Sequence, residues 1–543
     1  MRRGFAALAI AAGALAGCSV PGTGTSTSMP DHQPARVVGA QDLGSVARDE
    51  QVDLVLSLKL RDSDGVYRLL AAQNDPGSSS YRKYLTPQAF GTSFGASDDD
   101  YQRVVDWAKS YGLTVTRTTD SRSSVSLSGR ADDVERAFGT QLHKFSDGHG
   151  EFRAPTSELS ILGHIGSLID GVSGLDDAGR WKSRRVPLPT PDPHVGAGGR
   201  RDPVDLQTMY GVTGLTRPGD GATVAILGTG DPPQIAGDVD FFIKKFSLPT
   251  QRAAQYTQVF VGGPNRDSDA LAQNEYGENV LDIDMVMGVA PFANVVHVIT
   301  ATNSPGLFGD GMVFIINNVP NAHQVSVSFG NCERVAATEV VSINNLLLQA
   351  KLQGQSWFFA SGDDGTDDCR DGKGNKVISV DFPSGSPYAV SVGGTQISSN
   401  KEVAWAGGGG GQSQFSTKPD YQIGVGPYAN DGVRDVPDVA ALAGSPGVTV
   451  GFQGQLTASA GTSAAAPMWA AVWSILDQHT GYIGITNAHE HLYDLGRGNT
   501  GVFNDITSGN NSNGVTPGYP AIVGYDLATG WGTPNATQLT AQW

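Results

Sequence analysis

Ser463 stands in the run Gly461-Thr462-Ser463-Ala464-Ala465-Ala466-Pro467, and the residues after it, Met468 to Val472 and Trp473, are apolar throughout. A run that is apolar all round reads as a buried helix. Pro467 suits only the first turn of such a helix, so Ser463 is expected at its N-terminus, where the dipole favours developing negative charge. A hydroxyl placed there suits attack on a carbonyl, although a serine in that position is also an ordinary N-cap. Such an attack needs a base. Glu278 and Asp282 are four residues apart on a predicted helix, share one face and can share a hydrogen bond. Carboxyls that close titrate together and hold one proton between them. One can then accept a proton from the serine while the other orients it. Glu275 and Asp284 flank the pair, so acidity alone does not single it out. A third acidic position, Asp363 in Ser361-Gly362-Asp363-Asp364-Gly365, follows an apolar strand-like run and has Asp364 as its local rival.

The Gly-Thr-Ser-x-x-x-Pro run resembles the serine motif of subtilisin-like folds. A subtilisin also needs an Asp after its first strand and a His in a His-Gly-Thr segment. Here the strand ends Leu227-Gly228-Thr229-Gly230, and no His is followed by Gly-Thr. The matching segment reads Glu278-Asn279-Val280-Leu281-Asp282, followed by Gly288-Val289-Ala290-Pro291, which resembles the sedolisins, serine-carboxyl peptidases of subtilisin fold. That resemblance selects Glu278 as base and Asp282 as its orienting partner. It also implies that Asp363 helps form the oxyanion hole, which a carboxyl can do only when protonated. Reference carboxyl pKa values put the working window at roughly pH 3–5. Ser328-Phe329-Gly330 resembles the stretch whose backbone pairs with extended substrate, with Phe in place of the commoner Trp. Asp505 and Asp526 with the carbonyls of Ile506, Ile522 and Gly524 resemble a calcium site for one Ca²⁺, Ile522 replacing the usual Gly; hard oxygen donors suit that ion. The alternative for this loop is one held by Asx turns alone. The glycine run Gly407–Gly411 lacks the end of a phosphate loop; by resemblance it is expected to line the substrate groove.

Behind these residues the chain reads as two folded units. From about residue 36 to 182, Val52–Leu58 alternates partly, as a strand would, Asp98–Tyr111 reads as a helix, Thr114–Val125 as paired strands about a turn, and Ala131–Phe138 as a second helix. That order implies a small α+β domain with an antiparallel sheet. Tyr81-Arg82-Lys83-Tyr84-Leu85-Thr86-Pro87 and Val134–Phe138 resemble the pro-kumamolisin activation domain, which implies an intramolecular inhibitor that acid loosens by protonating interface carboxylates. Residues 183–203 carry Arg184-Arg185, four alternating prolines and Gly196–Gly199, and are expected to form an extended, cleavable activation linker without regular structure. From 204 to 543, continuous apolar strands such as Thr223–Leu227, Val325–Ser328, Ser356–Ala360, Val390–Val392 and Val448–Val450 alternate with helices, which implies a parallel α/β sheet flanked by helices, subtilisin-like by resemblance.

The N-terminus reads as a leader. Arg2 and Arg3 precede a short apolar stretch ending Leu15-Ala16-Gly17-Cys18, which resembles a lipobox over residues 1–18 and implies lipid attachment at Cys18. Residues 19–35, rich in Gly, Ser, Thr and Pro, read as a flexible tether. In an exported protein the two other cysteines, Cys332 and Cys369, are expected to pair, a loop worth roughly 3–4 kcal/mol in the chain-entropy model. The formal net charge of -17 argues against nucleic acid as partner. The expected protein is therefore an extracellular or envelope-anchored peptidase acting on polypeptides. The competing readings are a catalytically inactive binding protein of the same fold, and an exopeptidase releasing tripeptides through a groove closed at one end.

Overall fold

The computed structural model describes residues 26–29, 32–147, 150–188, 199–230, 234–266, 269–370, 376–481, 488–513 and 516–542. The leader and Cys18 lie outside them.

In the N-terminal unit, strands Thr114–Thr118, Ser124–Arg130, Gln51–Leu58 and Ile169–Ser173 lie side by side in that order, all antiparallel. Helices Asp98–Ser110 and Ala131–Phe138 supply the core on one face: Val104, Trp107, Ala108, Val134 and Phe138 pack with Leu54, Leu56, Val125 and Leu127. The first helix starts where Ser97 accepts the Asp100 N–H, and three aspartates in its first turn face the positive end of the dipole. The second stops at Gly139, whose φ of 62° is a left-handed cap.

The sheet's other face is not exposed. Helix Pro305–Asn318 of the C-terminal unit crosses it, and Val55 joins a core cluster with Trp181 and Phe308. A Cβ at Gly306 would lie 1.9 Å from the Asp53 carbonyl, so only glycine allows this approach. Burial on two faces is why Leu54 to Leu58 shows no outward polar alternation.

The C-terminal unit is a mixed α/β subtilisin-like fold. Its main sheet runs Tyr256–Val261, Asn294–Thr300, Thr223–Thr229, Ala322–Val327, Ser356–Ala360 and Val390–Ser398, all parallel, and closes on the antiparallel strand Lys401–Ala404. Val439–Leu442 also pairs in parallel with Val390–Ser398. Helices Asp269–Val289 and Thr462–Thr480 pack together against one face, sharing a core that includes Val280, Leu281, Ala465, Met468 and Trp469. Among the described residues, no helix is long and apolar enough to cross a membrane.

Three expectations are corrected. Ser26–Met29, inside the supposed tether, is a strand antiparallel to Leu159–Leu162, with Met29 buried: a Ser/Thr-rich segment pairs when an open strand edge is available. Val448–Phe452 is not part of the parallel sheet but forms a hairpin with Gln455–Ala460, because Gln453 and Gly454 adopt the positive φ values of 53° and 69° that a two-residue turn requires. Within the linker, Lys182–Ser183 and Val186–Leu188 are strands. Pro187 fits because its strand lies at the edge of the three-stranded sheet that it forms with the hairpin. Residues 189–198 fall outside the described residues.

Candidate active site

Ser463 begins the second position of the helix Thr462–Thr480, whose N-cap Gly461 has a φ of 111°. Pro467 sits one turn further in than the sequence suggests. Its missing N–H leaves the Ser463 carbonyl without a helical donor, and the Ser328 hydroxyl lies 3.2 Å from that oxygen. The Ser463 hydroxyl donates to Glu278 Oε2 at 2.9 Å and also lies 3.4 Å from the Ser328 carbonyl. Ser463, Glu278, Asp282 and Ser328 are all fully buried.

Glu278 and Asp282 do share a face of the helix Asp269–Val289, but they do not share the expected hydrogen bond. Each is drawn to a hydroxyl: Glu278 Oε2 accepts from Ser463 and from Ser183, and Asp282 Oδ1 accepts from Ser328 at 2.6 Å. Glu278 Oε1 and Asp282 Oδ2 are left buried without a partner. Burial pushes both carboxyls above their ordinary range; the hydroxyls pull Glu278 back, while the charge of Glu278 raises Asp282 further. The Ser328 hydroxyl has one proton and two acceptors in reach, Asp282 Oδ1 and the Ser463 carbonyl. Both contacts are satisfied together when Asp282 carries the proton and donates to Ser328. Of the flanking acids, Asp284 turns away and accepts the Gly451 N–H at 2.8 Å. Asn279, which the sequence reading passed over, donates to the Thr229 carbonyl at 2.9 Å and ties this helix to the end of the first strand.

Asp363 lies at the end of strand Ser356–Ala360. Its Oδ1 accepts the Thr462 N–H at 2.7 Å and the Thr462 hydroxyl at 2.9 Å. Enclosure by protein pushes this carboxyl up to about 7, against the pull of Thr462 and of Arg184. Asp364 instead pairs with Lys376 at 3.3 Å. The glycine run packs against this turn: Gly409 N–H donates to the Gly362 carbonyl at 2.8 Å, and a Cβ on Gly409 would lie 2.0 Å from the Ser361 carbonyl.

Ser328-Phe329-Gly330 pairs with the chain's own linker. Lys182 faces Gly330 and Ser183 faces Phe329 in antiparallel register, and the Arg184 N–H donates to the Ser328 carbonyl at 3.0 Å. The Phe329 ring points into the core near Phe308, at 5.8 Å between centroids, so it does not contact what lies in the cleft. Cys332 and Cys369 form a disulfide with Cα atoms 5.0 Å apart, fastening this cleft strand to the segment that carries Asp368. Asp368 and Asp381, which the sequence reading missed, receive the Arg184 guanidinium. Neither stands out by periodicity; the only hint is an acid at the edge of a Cys or of an apolar run.

The distant Asp505–Asp526 loop is brought together as expected. Asp526 accepts N–H bonds from Ile522, Ala528 and Thr529, and Asp505 accepts the Gly524 N–H at 2.9 Å. Burial pushes Asp526 up to about 6. The carbonyls of Ile506, Ile522 and Gly524 accept no hydrogen bond from the described residues, a donor set that fits Ca²⁺. No three His, Cys, Asp or Glu side chains among the described residues cluster tightly enough to hold a metal by themselves.

A parallel α/β sheet, a serine at a helix N-terminus and a buried carboxylate in the place of an imidazole define a subtilisin-fold hydrolase of the serine-carboxyl type. Residues 38–178 match the family model "Pro-kumamolisin, activation domain", and residues 262–491 match "Subtilase family". Kumamolisin of Bacillus sp. (strain MN-32) is 29% identical over 94% of this chain and 94% of its own length. Sedolisin of Pseudomonas sp. (strain 101) is 27% identical over 94% and 90%, and tripeptidyl-peptidase 1 of Canis lupus familiaris is 25% identical over 94% of each. The solved structure of Pseudomonas sedolisin, a serine-carboxyl proteinase complexed with pseudo-iodotyrostatin, superposes with a TM-score of 0.56 at 26% identity, covering 64% of this chain and 98% of that one. The chain is a serine-carboxyl peptidase zymogen similar to the sedolisins, with an activation domain preceding its peptidase domain.

Proposed function

We propose that this zymogen is an exported, acid-acting endopeptidase that processes itself, with Ser463 as nucleophile, Glu278 as general base, Asp282 as its positioning partner and Asp363 as oxyanion donor. The observation that carries this reading is the 2.9 Å bond from the Ser463 hydroxyl to Glu278 Oε2 inside a buried site. Glu278 takes the serine proton as Oγ attacks the substrate carbonyl and returns it to the leaving amine. Asp282, held by Ser328, acts on Glu278 through its charge and protonation state rather than through a direct hydrogen bond. The Ser463 N–H and a protonated Asp363 receive the oxyanion. Asp363 donates only when neutral, a form that its enclosure favours, so activity is expected in acid.

Endopeptidase action is favoured by the path of the chain, which runs on through the cleft from Lys182 to Leu188 with folded chain on its N-terminal side. A tripeptide-releasing groove would need a wall there. The decisive experiment is Ser463→Ala. The variant is expected to remain full length in mild acid and to lose casein hydrolysis by at least about 1000-fold. Processing and casein cleavage at the wild-type rate would overturn the reading.

Asp505, Asp526 and the carbonyls of Ile506, Ile522 and Gly524 would hold one Ca²⁺, which would supply positive charge that fastens this loop. A chelator is then expected to lower the melting temperature by about 5 °C, reversed by added calcium. An unchanged melting curve would leave a loop held by hydrogen bonds alone.

A further inference from the structure

One strand of the hairpin Val448–Phe452 with Gln455–Ala460 lies in the cleft. On one side Gln455–Ala460 pairs with Val448–Phe452, and on the other its residues Ala458–Ala460 pair antiparallel with Val186–Leu188. Just before that segment, the Arg184 carbonyl accepts the Ser463 N–H at 3.3 Å. Backbone that follows a carbonyl beside the nucleophile occupies the leaving-group side of a peptidase cleft. Without Val186–Leu188, Ala458–Ala460 is an open strand edge that can pair with any extended chain laid in that place.

The far end of the hairpin is tied down in an unusual way. The two turn residues of a tight hairpin have no ladder partner for their own N–H groups. Here one carboxyl from another element takes both: Gln453 N–H donates to Asp238 Oδ2 and Gly454 N–H to Asp238 Oδ1, each at 2.8 Å. The Tyr276 hydroxyl donates to the same Oδ2 from the helix that carries Glu278, and the Tyr276 ring lies 4.8 Å from that of Phe452. On that helix too, Asp284 accepts the Gly451 N–H at 2.8 Å. A Cβ on Gly451 would lie 3.2 Å from the Asp238 carbonyl and from Phe242 Cβ, so the strand lies close on the helix Ile235–Lys245. Asp238 and Asp284 are both buried, where a carboxyl is tolerated for the hydrogen bonds it makes.

We propose that Asp238 is a positioning residue: it clamps the turn of this hairpin, so that Ala458–Ala460 presents a fixed edge to the leaving-group side of a polypeptide, and the enzyme thereby favours substrates that extend several residues beyond the cleaved bond. The inference rests on the peptidase reading above. An unclamped hairpin would have to be ordered each time a substrate arrives, and that conformational entropy would be lost from binding. With its turn held, the edge is ready before the substrate comes, and a longer chain gains each backbone hydrogen bond at little ordering cost. The hydrogen bonds of the Asp238 side chain go to the hairpin turn and to Tyr276, so its effect on a substrate passes through the hairpin.

The test uses the full-length protein after activation in mild acid. The probes are two peptides with the same residues before the cleaved bond, one ending as an amide a single residue after it and the other continuing for four. The wild type is expected to favour the longer by at least about 30-fold in kcat/KM. Asp238→Ala is expected to bring that ratio below about 5-fold, with the loss in the KM of the longer peptide. An unchanged ratio, or an equal loss on both peptides, overturns the clamp. Tyr276→Phe keeps the ring against Phe452 and removes only one bond to Asp238; it is expected to lower the ratio about 3-fold. That variant decides the matter if Asp238→Ala fails to fold, and no change in it overturns the clamp. Equal cleavage of both peptides by the wild type removes the role of the hairpin edge and leaves the peptidase reading intact; no cleavage of either, matched by Ser463→Ala, sinks the peptidase reading itself.

Discussion

Two pairs of buried acids lie where the activation and peptidase units meet, and they behave oppositely. Asp368 and Asp381 enclose the Arg184 guanidinium. Burial opposes that charge, but the two carboxylates overcome it and hold Arg184 above its ordinary value. Between Asp176 of the activation unit and Glu339 of the peptidase unit no cation among the described residues forms an ion pair. Asp176 accepts from the Thr338 hydroxyl at 2.8 Å and from the Ala178 N–H at 3.1 Å; Glu339 accepts the Gly174 N–H at 3.3 Å. Burial pushes Asp176 to about 6, with Asp177 adding to the rise and Arg153 opposing it, and burial together with Asp176 pushes Glu339 to about 8. The same residue type at the same kind of boundary is a charge receptor in one place and a proton store in the other, according to whether a guanidinium enters.

The sign of the pH effect follows. A carboxyl raised in the folded state contributes its full stability below its ordinary pKa and loses it as pH rises through the raised value. The Asp176–Glu339 contact is therefore tight in acid and weakens as pH rises through about 6 and then about 8. At this pair acid holds the activation domain on, opposite in sign to the expected loosening, whereas the ion pairs Arg117–Asp310 and Arg266–Asp53 across the same boundary are ones that protonation would weaken.

The comparison can be broken most directly at the two arginines. Arg184→Ala leaves two buried acids without their cation and is expected to slow zymogen processing by at least about 30-fold, whereas Arg185→Ala slows it less than about 10-fold. Gel densitometry over time in mild acid reads both; equal slowing would remove the distinction between the two arginines. A smaller effect sharpens the other half. Glu339→Gln removes the group that must ionise, and is expected to raise the zymogen melting temperature by about 2–4 °C at pH 8 and by less than about 1 °C at pH 5. A gain of equal size at both pH values would mean that packing rather than titration governs this contact.

The arrangement of the activation sheet was legible because periodicity and caps are local: Ser97 and Gly139 bound their helices as the sequence implies. The hairpin Val448–Phe452 with Gln455–Ala460 was misread because a short apolar run looks the same in a parallel sheet and in a ribbon. Pro187 misled in the same way, since a proline that excludes a central strand is harmless at an edge.

The sequence by itself determined the chemistry available: a serine before an apolar helix, two acids one turn apart, an Asp after a buried strand, and a proline-rich linker starting at two arginines. Only the tertiary structure decided which oxygen faces which. It turned Glu278 to Ser463 and Asp282 to Ser328 instead of to each other, and it drew Arg184 between two acids far from it in the chain. Residue type and spacing fix what a group can donate or accept, but direction and burial depend on packing among segments hundreds of positions apart, which no local pattern encodes.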